Sequence, residues 1–520
     1  MQEWLADKYN YISEGLRHAS NDEYIWMIIV GTILAYILGF AMGANDVSNA
    51  FGTSVGSRAL SLTQAYILAS IFEALGAIII GYNVIDTVRR SIYDVGIYES
   101  EPVLFMLVQI AVLGGCSLWL LLATALKMPV SASHSLVGAI LGSTLACKGF
   151  RGIYWEMLLY IVGSWFLSPV LAGLTSITIL LLIEHNILQS RDPVNRALFC
   201  SPFIVFACFV VNGFIVLLGG SKILNTPSLS IWVCIPICTT IAVLAASFYY
   251  YLILPQIRNK IDEMIILEPL IFKKDDLSSG VSPSVKEITD GFCHPPRYFR
   301  RKLAGRDSDS SFEYTETPTS SDSEGSGLFG GFWRNLMPKK DLEIDTRVMK
   351  AFVGLQVMSA CFAGFAHGSN DVSNAIGPLT TLMNAYREKD FQQKHETSID
   401  VLFFGICSIC AGLWVLGHRV ILTIGLDMTE MNPVTGFVME FGAATTTILA
   451  SKLGLPISTT HCVIGAVVAV GWVKSETGVD IKVIKQIAAS WLVTVPVSGI
   501  FAGIIILILQ ATVYKKFYFF

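Results

Sequence analysis

One fourteen-residue stretch occurs twice in this chain, each time in a long apolar run. Gly39-Phe-Ala-Met-Gly-Ala-Asn-Asp-Val-Ser-Asn-Ala-Phe-Gly52 returns as Gly364-Phe-Ala-His-Gly-Ser-Asn-Asp-Val-Ser-Asn-Ala-Ile-Gly377, 325 positions later and identical at eleven of fourteen places. A second motif follows: Pro129-Val-Ser-Ala-Ser-His134 matches Pro456-Ile-Ser-Thr-Thr-His461, 327 positions later. A third pairs Ser164-Trp165 and Pro169 with Ser490-Trp491 and Pro496. Three motifs in one order at nearly constant spacing mean two homologous halves.

The setting of the repeats is apolar. The chain is 53% hydrophobic and 15% charged, where soluble domains average about 25% charged. Apolar segments run roughly over 24–44, 62–84, 103–124, 130–147, 154–183, 202–220 and 230–254, then 348–366, 399–422, 433–451, 456–473 and 484–512. Runs of about 20 apolar residues are long enough to cross a bilayer. The expected fold is therefore an all-α membrane protein of about 12 transmembrane segments, seven and then five. Segments that are short or broken by Gly and Pro read as re-entrant or broken helices. A net charge of −4 excludes an overall basic nucleic-acid binder. Cys407-Ser-Ile-Cys410 has no second pair at zinc spacing, so the cysteines read as buried thiols.

Four regions result. Residues 1–23 form a polar N-terminal tail with no signal-peptide pattern. Residues 24–254 make the first membrane half and 348–520 the second. Residues 255–347 form a polar loop, read as largely disordered from its Ser-, Thr-, Asp- and Glu-rich stretch 305–331. Arg258, Lys260, Lys273 and Lys274 on one side of that stretch, and Arg334, Lys339, Lys340, Arg347 and Lys350 on the other, are basic. The positive-inside tendency puts this loop in the cytosol and both termini, tail included, outside. Acidic residues around Ser310, Ser320, Ser321 and Ser323 make the loop a kinase target by expectation. With the loop inside, matched motifs lie on oppositely directed helices. That is an inverted-topology repeat, an architecture of secondary transporters with a site near the midplane.

The paired GANDVSNAFG/GSNDVSNAIG and PVSASH/PISTTH motifs resemble the inorganic phosphate transporter family, the sodium-phosphate symporters of the solute carrier family 20 type. The resemblance spans both apolar halves and the loop between them. It implies inverted repeats, outward termini, a cytosolic loop, a plasma-membrane location and a homodimer.

The motifs have chemistry of their own. Asp46 and Asp371 are carboxylates in apolar runs, and an ionisable residue at membrane depth is a functional candidate by default. With Asn45, Ser48 and Asn49, and with Asn370, Ser373 and Asn374, they offer hard oxygen donors suited to sodium. Gly43, Gly52, Gly368 and Gly377 are expected to let the backbone turn and free carbonyls for the ion. Ser131, Ser133 and His134, and Ser458, Thr459, Thr460 and His461, each follow a proline. That pattern suits a capped helix start, whose free N–H groups and positive dipole end favour an anion such as phosphate. The histidines are open between phosphate contact, hydroxyl orientation and helix-end packing; His367, in place of Met42, reads as local packing.

Glu73 and Glu440 are further embedded acids, and the resemblance implies that both are associated with transport. Glu73 aligns roughly with Cys410 and Glu440 with Leu113, so each acid belongs to one half only. Leu120 stands where many animal members have Gln. An aspartyl-protease pair and a passive channel are the rival readings. The expected function is sodium-coupled import of phosphate by alternating access, with proton coupling as the alternative. Sodium enters as co-transported substrate and no cofactor is expected.

Overall fold

The computed structural model describes residues 24–81, 92–218, 229–275, 344–388, 397–422, 431–452, 457–474, 479 and 481–514. The N-terminal tail and the expected phosphorylation stretch 305–331 lie outside them. The chain divides into two compact units, Met1–Ile257 with Lys339–Phe520, and Arg258–Pro338. Only the first carries the repeated motifs.

The described residues are helical apart from turns and an isolated bridge between Tyr93 and Ile153. In the first half the helices are α1 (Ile25–Gly56), α2 (Leu62–Ile79), α3 (Pro102–Ala125), α4 (Ala132–Lys148), α5 (Trp155–Ile183), α6 (Pro193–Leu217), α7 (Ile231–Phe248) and α8 (Leu254–Asp275). In the second they are α9 (Thr346–Met383), α10 (Ile399–Leu416), α11 (His418–Leu422), α12 (Pro433–Lys452), α13 (Thr459–Lys474) and α14 (Ile481–Leu509). Each apolar segment named from the sequence overlaps one of these helices, and 399–422 holds two; α1, α6 and α9 run well beyond the expected bounds. Polar residues mark their starts. Ser61 and Gln64 form a reciprocal capping box on α2, and Ser131 caps α4. Asp345 caps α9 and also pairs with Arg347, which holds its carboxyl below the usual range.

Among the described residues, nine helical stretches are long and apolar enough to cross a membrane. α4 and α13 are not among them, at 17 and 16 residues. At about 1.5 Å per residue each reaches roughly 25 Å, short of a ~30 Å hydrocarbon core.

The two halves exchange partners. α1 packs on α10 while α9 packs on α2; α4 packs on α14 while α13 packs on α5. Backbones touch at these crossings. A Cβ on Gly43 would run into the backbone of Ile409, and one on its counterpart Gly368 into the backbone of Glu73. Gly412 meets Phe40 and Gly76 meets Phe365 in the same way. These matched contacts align Glu73 with Ile409 rather than with Cys410.

The glycine expectation is corrected at the same place. α1 and α9 run as continuous helices through both motifs, so no turn opens there. Gly43 and Gly368 instead permit close helix approach.

α4 and α13 end at Lys148 and Lys474, one residue out of repeat register, and each lysine meets an acid. Lys148 lies 2.8 Å from Glu101 with side chains 17% and 32% exposed. Lys474 lies 3.2 Å from Glu184 with 6% and 1%. Removing one member of a buried pair strands the other charge, whereas an exposed pair contributes little. Lys474→Met is expected to cost about 3 kcal/mol of stability and Lys148→Met less than about 1 kcal/mol. Thermal unfolding of the purified variants measures the difference; equal losses would contradict it.

Candidate functional site

The starts of α4 and α13 abut inside the bundle. Ser131 Oγ accepts the His134 N–H at 3.3 Å, and Ser458 Oγ accepts the His461 N–H at 3.2 Å. The two serines are therefore helix caps, with hydroxyl protons still available to donate. Two residues on, the halves reach across to each other. Ser133 Oγ donates to the Ile457 carbonyl and Thr460 Oγ1 to the Val130 carbonyl, both at 3.3 Å. Thr459 is buried beside them.

The repeated Asn-Asp motifs converge on this junction. Asn49 Nδ2 donates to Thr460 Oγ1 and to Asp46 Oδ1, both at 2.9 Å. Its counterpart Asn374 donates to Ser133 Oγ at 3.2 Å, and Asn370 reaches the same oxygen at 3.4 Å. Each hydroxyl is thus held by an asparagine from the other half. Asn45 is used differently. It accepts the Val130 N–H and donates to Thr124 Oγ1 and the Met128 carbonyl, each at 3.0 Å, tying the α3–α4 connection to α1. The Ser48 hydroxyl donates to the Asn45 carbonyl at 2.8 Å. The Ser373 hydroxyl donates to Gly81 and Ser369 carbonyls at 2.8 and 2.7 Å.

Three oxygens remain without a hydrogen-bond partner in this buried region: Asp46 Oδ2, Asn49 Oδ1 and Asp371 Oδ1. Asp371 Oδ2 has His367 Nδ1 at 3.8 Å. His367 therefore faces a candidate ion ligand, a role its reading as packing did not include. Glu73 on α2 is buried, and Asp46, Asp371 and Glu73 lie within electrostatic range of one another. Their mutual repulsion favours a cation among them. Among the described residues, no three His, Cys, Asp or Glu side chains converge tightly enough to hold a metal ion by themselves.

Glu440 lies apart from that group. Its Oε1 accepts from Thr53 and from Ser54, the latter at 2.6 Å, and its Oε2 from Ser359 at 2.8 Å. The site reading missed these hydroxyls. Thr53 and Ser54 directly follow the first motif, the one signal that pointed to them.

The two histidines and two tryptophans form a row of ring contacts. His134 and His461 meet edge to face at 4.4 Å, His134 lies 3.9 Å from Trp165, and His461 lies 3.7 Å from Trp491. His461 Nδ1 is 3.1 Å from the Trp165 carbonyl, and neither ring nitrogen of His134 has a hydrogen-bond partner. The contacts pack both rings at the helix starts and leave Nε2 of His461 without a hydrogen-bond partner as well.

Comparison with known proteins decides the family: the sequence profile of the phosphate transporter family matches residues 42–502. The chain belongs to the phosphate transporter family. Relatives include sodium-dependent phosphate transporter 2 of Xenopus laevis, 31% identical over 94% of this chain and 98% of that protein. Sodium-dependent phosphate transporter 1 of Rattus norvegicus is 30% identical, covering 94% and 95%. A solved structure titled "The sodium-dependent phosphate transporter" matches with a TM-score of 0.69 and 27% identity, covering 94% of this chain and all of that one. The family is one of transporters, which removes the aspartyl-protease reading of Asp46 and Asp371.

Proposed function

We propose that this chain imports inorganic phosphate together with sodium, by alternating access. The observation that carries this reading is the abutting pair of helix starts, with Ser133 and Thr460 each held by an asparagine of the opposite half. Two helix N-termini and their hydroxyls can donate to one tetrahedral oxyanion. Ser131, Ser133, His134, Ser458, Thr459, Thr460 and His461 are the proposed phosphate group. Asn45, Asp46, Ser48, Asn49, Asn370, Asp371, Ser373 and Asn374 are the proposed sodium group, with Glu73 and Glu440 as transport-associated acids. Unpartnered oxygens on Asp46, Asn49 and Asp371 support the sodium assignment. A cation there offsets the repulsion among the acids and lowers the cost of bringing in an anion. The same free energy makes phosphate favour sodium, since coupling is reciprocal.

The exchanged helix pairs support an inverted repeat, and α4 and α13 support half-helices within about twelve segments. Termini outside, a cytosolic central loop open to kinases, a plasma-membrane location and a homodimer belong to the same proposal. Sodium is preferred over protons because the relatives are named as sodium-dependent.

Radiolabelled phosphate uptake into proteoliposomes, with sodium and proton gradients imposed separately, tests the coupling. Uptake that follows sodium is expected; uptake that follows only the pH gradient overturns it. Ser133→Ala and Thr460→Val each remove one donor and are expected to raise the phosphate KM about tenfold. An unchanged KM in both would remove the hydroxyls from the phosphate group.

A further inference from the structure

We propose that the corner between α5 and α6 binds the phosphodiester headgroup of an anionic lipid. Asn186 and Ser190, in the turns just after α5, and Asn195 and Arg196 at the start of α6 line an open cavity of about 500 Å³ there. His185 also lines it. Arg196 Nε donates to the Asn186 carbonyl at 3.2 Å, and its guanidinium lies 6.0 Å from the Phe199 ring centroid. These contacts orient the arginine, and among the described residues its two terminal nitrogens have no hydrogen-bond partner. Planar arginine donors in fixed geometry suit phosphate oxygens. Asn186 Nδ2 donates to the Leu182 carbonyl and Asn195 Nδ2 to Asp192, which leaves each amide one further hydrogen to donate, whereas the Ser190 hydroxyl is spent on the Ile187 carbonyl and can only accept.

Asp192 also lines the cavity and opposes an anion, but its oxygens are turned to Asn195. One accepts the Asn195 N–H at 3.1 Å and the other accepts from Asn195 Nδ2 at 2.6 Å.

The surface below the cavity favours a lipid over free phosphate. Arg196, Phe199 and Phe203 fall at i, i+3 and i+7, on one face of α6. The two phenylalanine rings are 5.5 Å apart, and the residues are 62% and 63% exposed. α6 is among the helices apolar enough to span a membrane. The face therefore runs from a cation at the helix start to bare aromatic rings, the polarity order of a phospholipid. Basic pockets between membrane helices are suited to anionic headgroups.

The test uses the full-length protein reconstituted in phosphatidylcholine alone or in an equimolar phosphatidylcholine–phosphatidylglycerol mixture. Native mass spectrometry then reads the lipid retained. Phosphatidylglycerol is expected to be retained by the wild type, and Arg196→Gln to lower its affinity about tenfold. Phe199→Ala should weaken retention too, while added inorganic phosphate should displace none of the lipid. Uptake by Arg196→Gln in pure phosphatidylcholine should match wild type, which shows that the variant is folded. Wild-type lipid retention in Arg196→Gln would overturn the site. Displacement of the lipid by inorganic phosphate would overturn the lipid assignment. The outcome is independent of the coupling ion, so a failed sodium test and a failed lipid test are distinguishable.

Discussion

Phosphate uptake falls on the order of a hundredfold, about 2.7 kcal/mol, when Asp46 or Asp371 is replaced by asparagine, with the protein still inserted in the membrane. The substitution keeps the shape and an oxygen acceptor while removing the charge. Asp46 shows why folding should survive. Its Oδ1 accepts from Asn49 at 2.9 Å, and an amide oxygen in its place accepts the same bond. What disappears is the negative charge behind its unpartnered Oδ2. Asp371 Oδ2 lies 3.8 Å from His367 Nδ1, too far for a hydrogen bond, and its Oδ1 is unpartnered, so its loss should be at least as severe. Sodium-driven uptake, normalised to reconstituted protein, is the measurement. Wild-type uptake in either variant would remove that aspartate from the ion group.

Gly43→Val and Gly368→Val should leave almost no folded protein, a loss of at least about 4 kcal/mol. The added Cβ would meet the backbone of Ile409 or Glu73 rather than a side chain that can swing aside. Two helices would have to part, and each crossing joins a motif-bearing helix to its neighbour. Gly163→Ala is the control, because a Cβ at Gly163 meets nothing within 4 Å. Monodisperse yield from detergent extracts should fall for both valine variants and stay unchanged for Gly163→Ala. Normal yield for Gly43→Val would mean that α1 and α10 tolerate a wider spacing.

The repeat, the helical class and the two polar motifs were legible because they are written locally. Duplicated strings survive inspection, and Pro followed by Ser or Thr signals a helix start wherever it occurs. The cap bonds of Ser131 and Ser458 fit that expectation. Features set by one helix against another were not legible. Glu73 meets Gly368 as Ile409 meets Gly43, a one-residue difference from the sequence alignment that only helix contact reveals. The partners of Glu440 come from α1 and α9, and only packing brings Ser54 and Ser359 to one carboxylate. The motif glycines were assigned to turns from their conformational freedom, yet neighbouring helices use Gly43 and Gly368 for contact. Lys474 and Glu184 gave no signal either, being 290 positions apart.

The bonds from Asn49 to Thr460 and from Asn374 to Ser133 span 411 and 241 positions. During synthesis the first polar motif therefore waits, incomplete, until nearly the whole chain has entered the membrane. A chain ending before residue 456 has Asn49 without Thr460, so this contact between the halves forms only once α13 has been made.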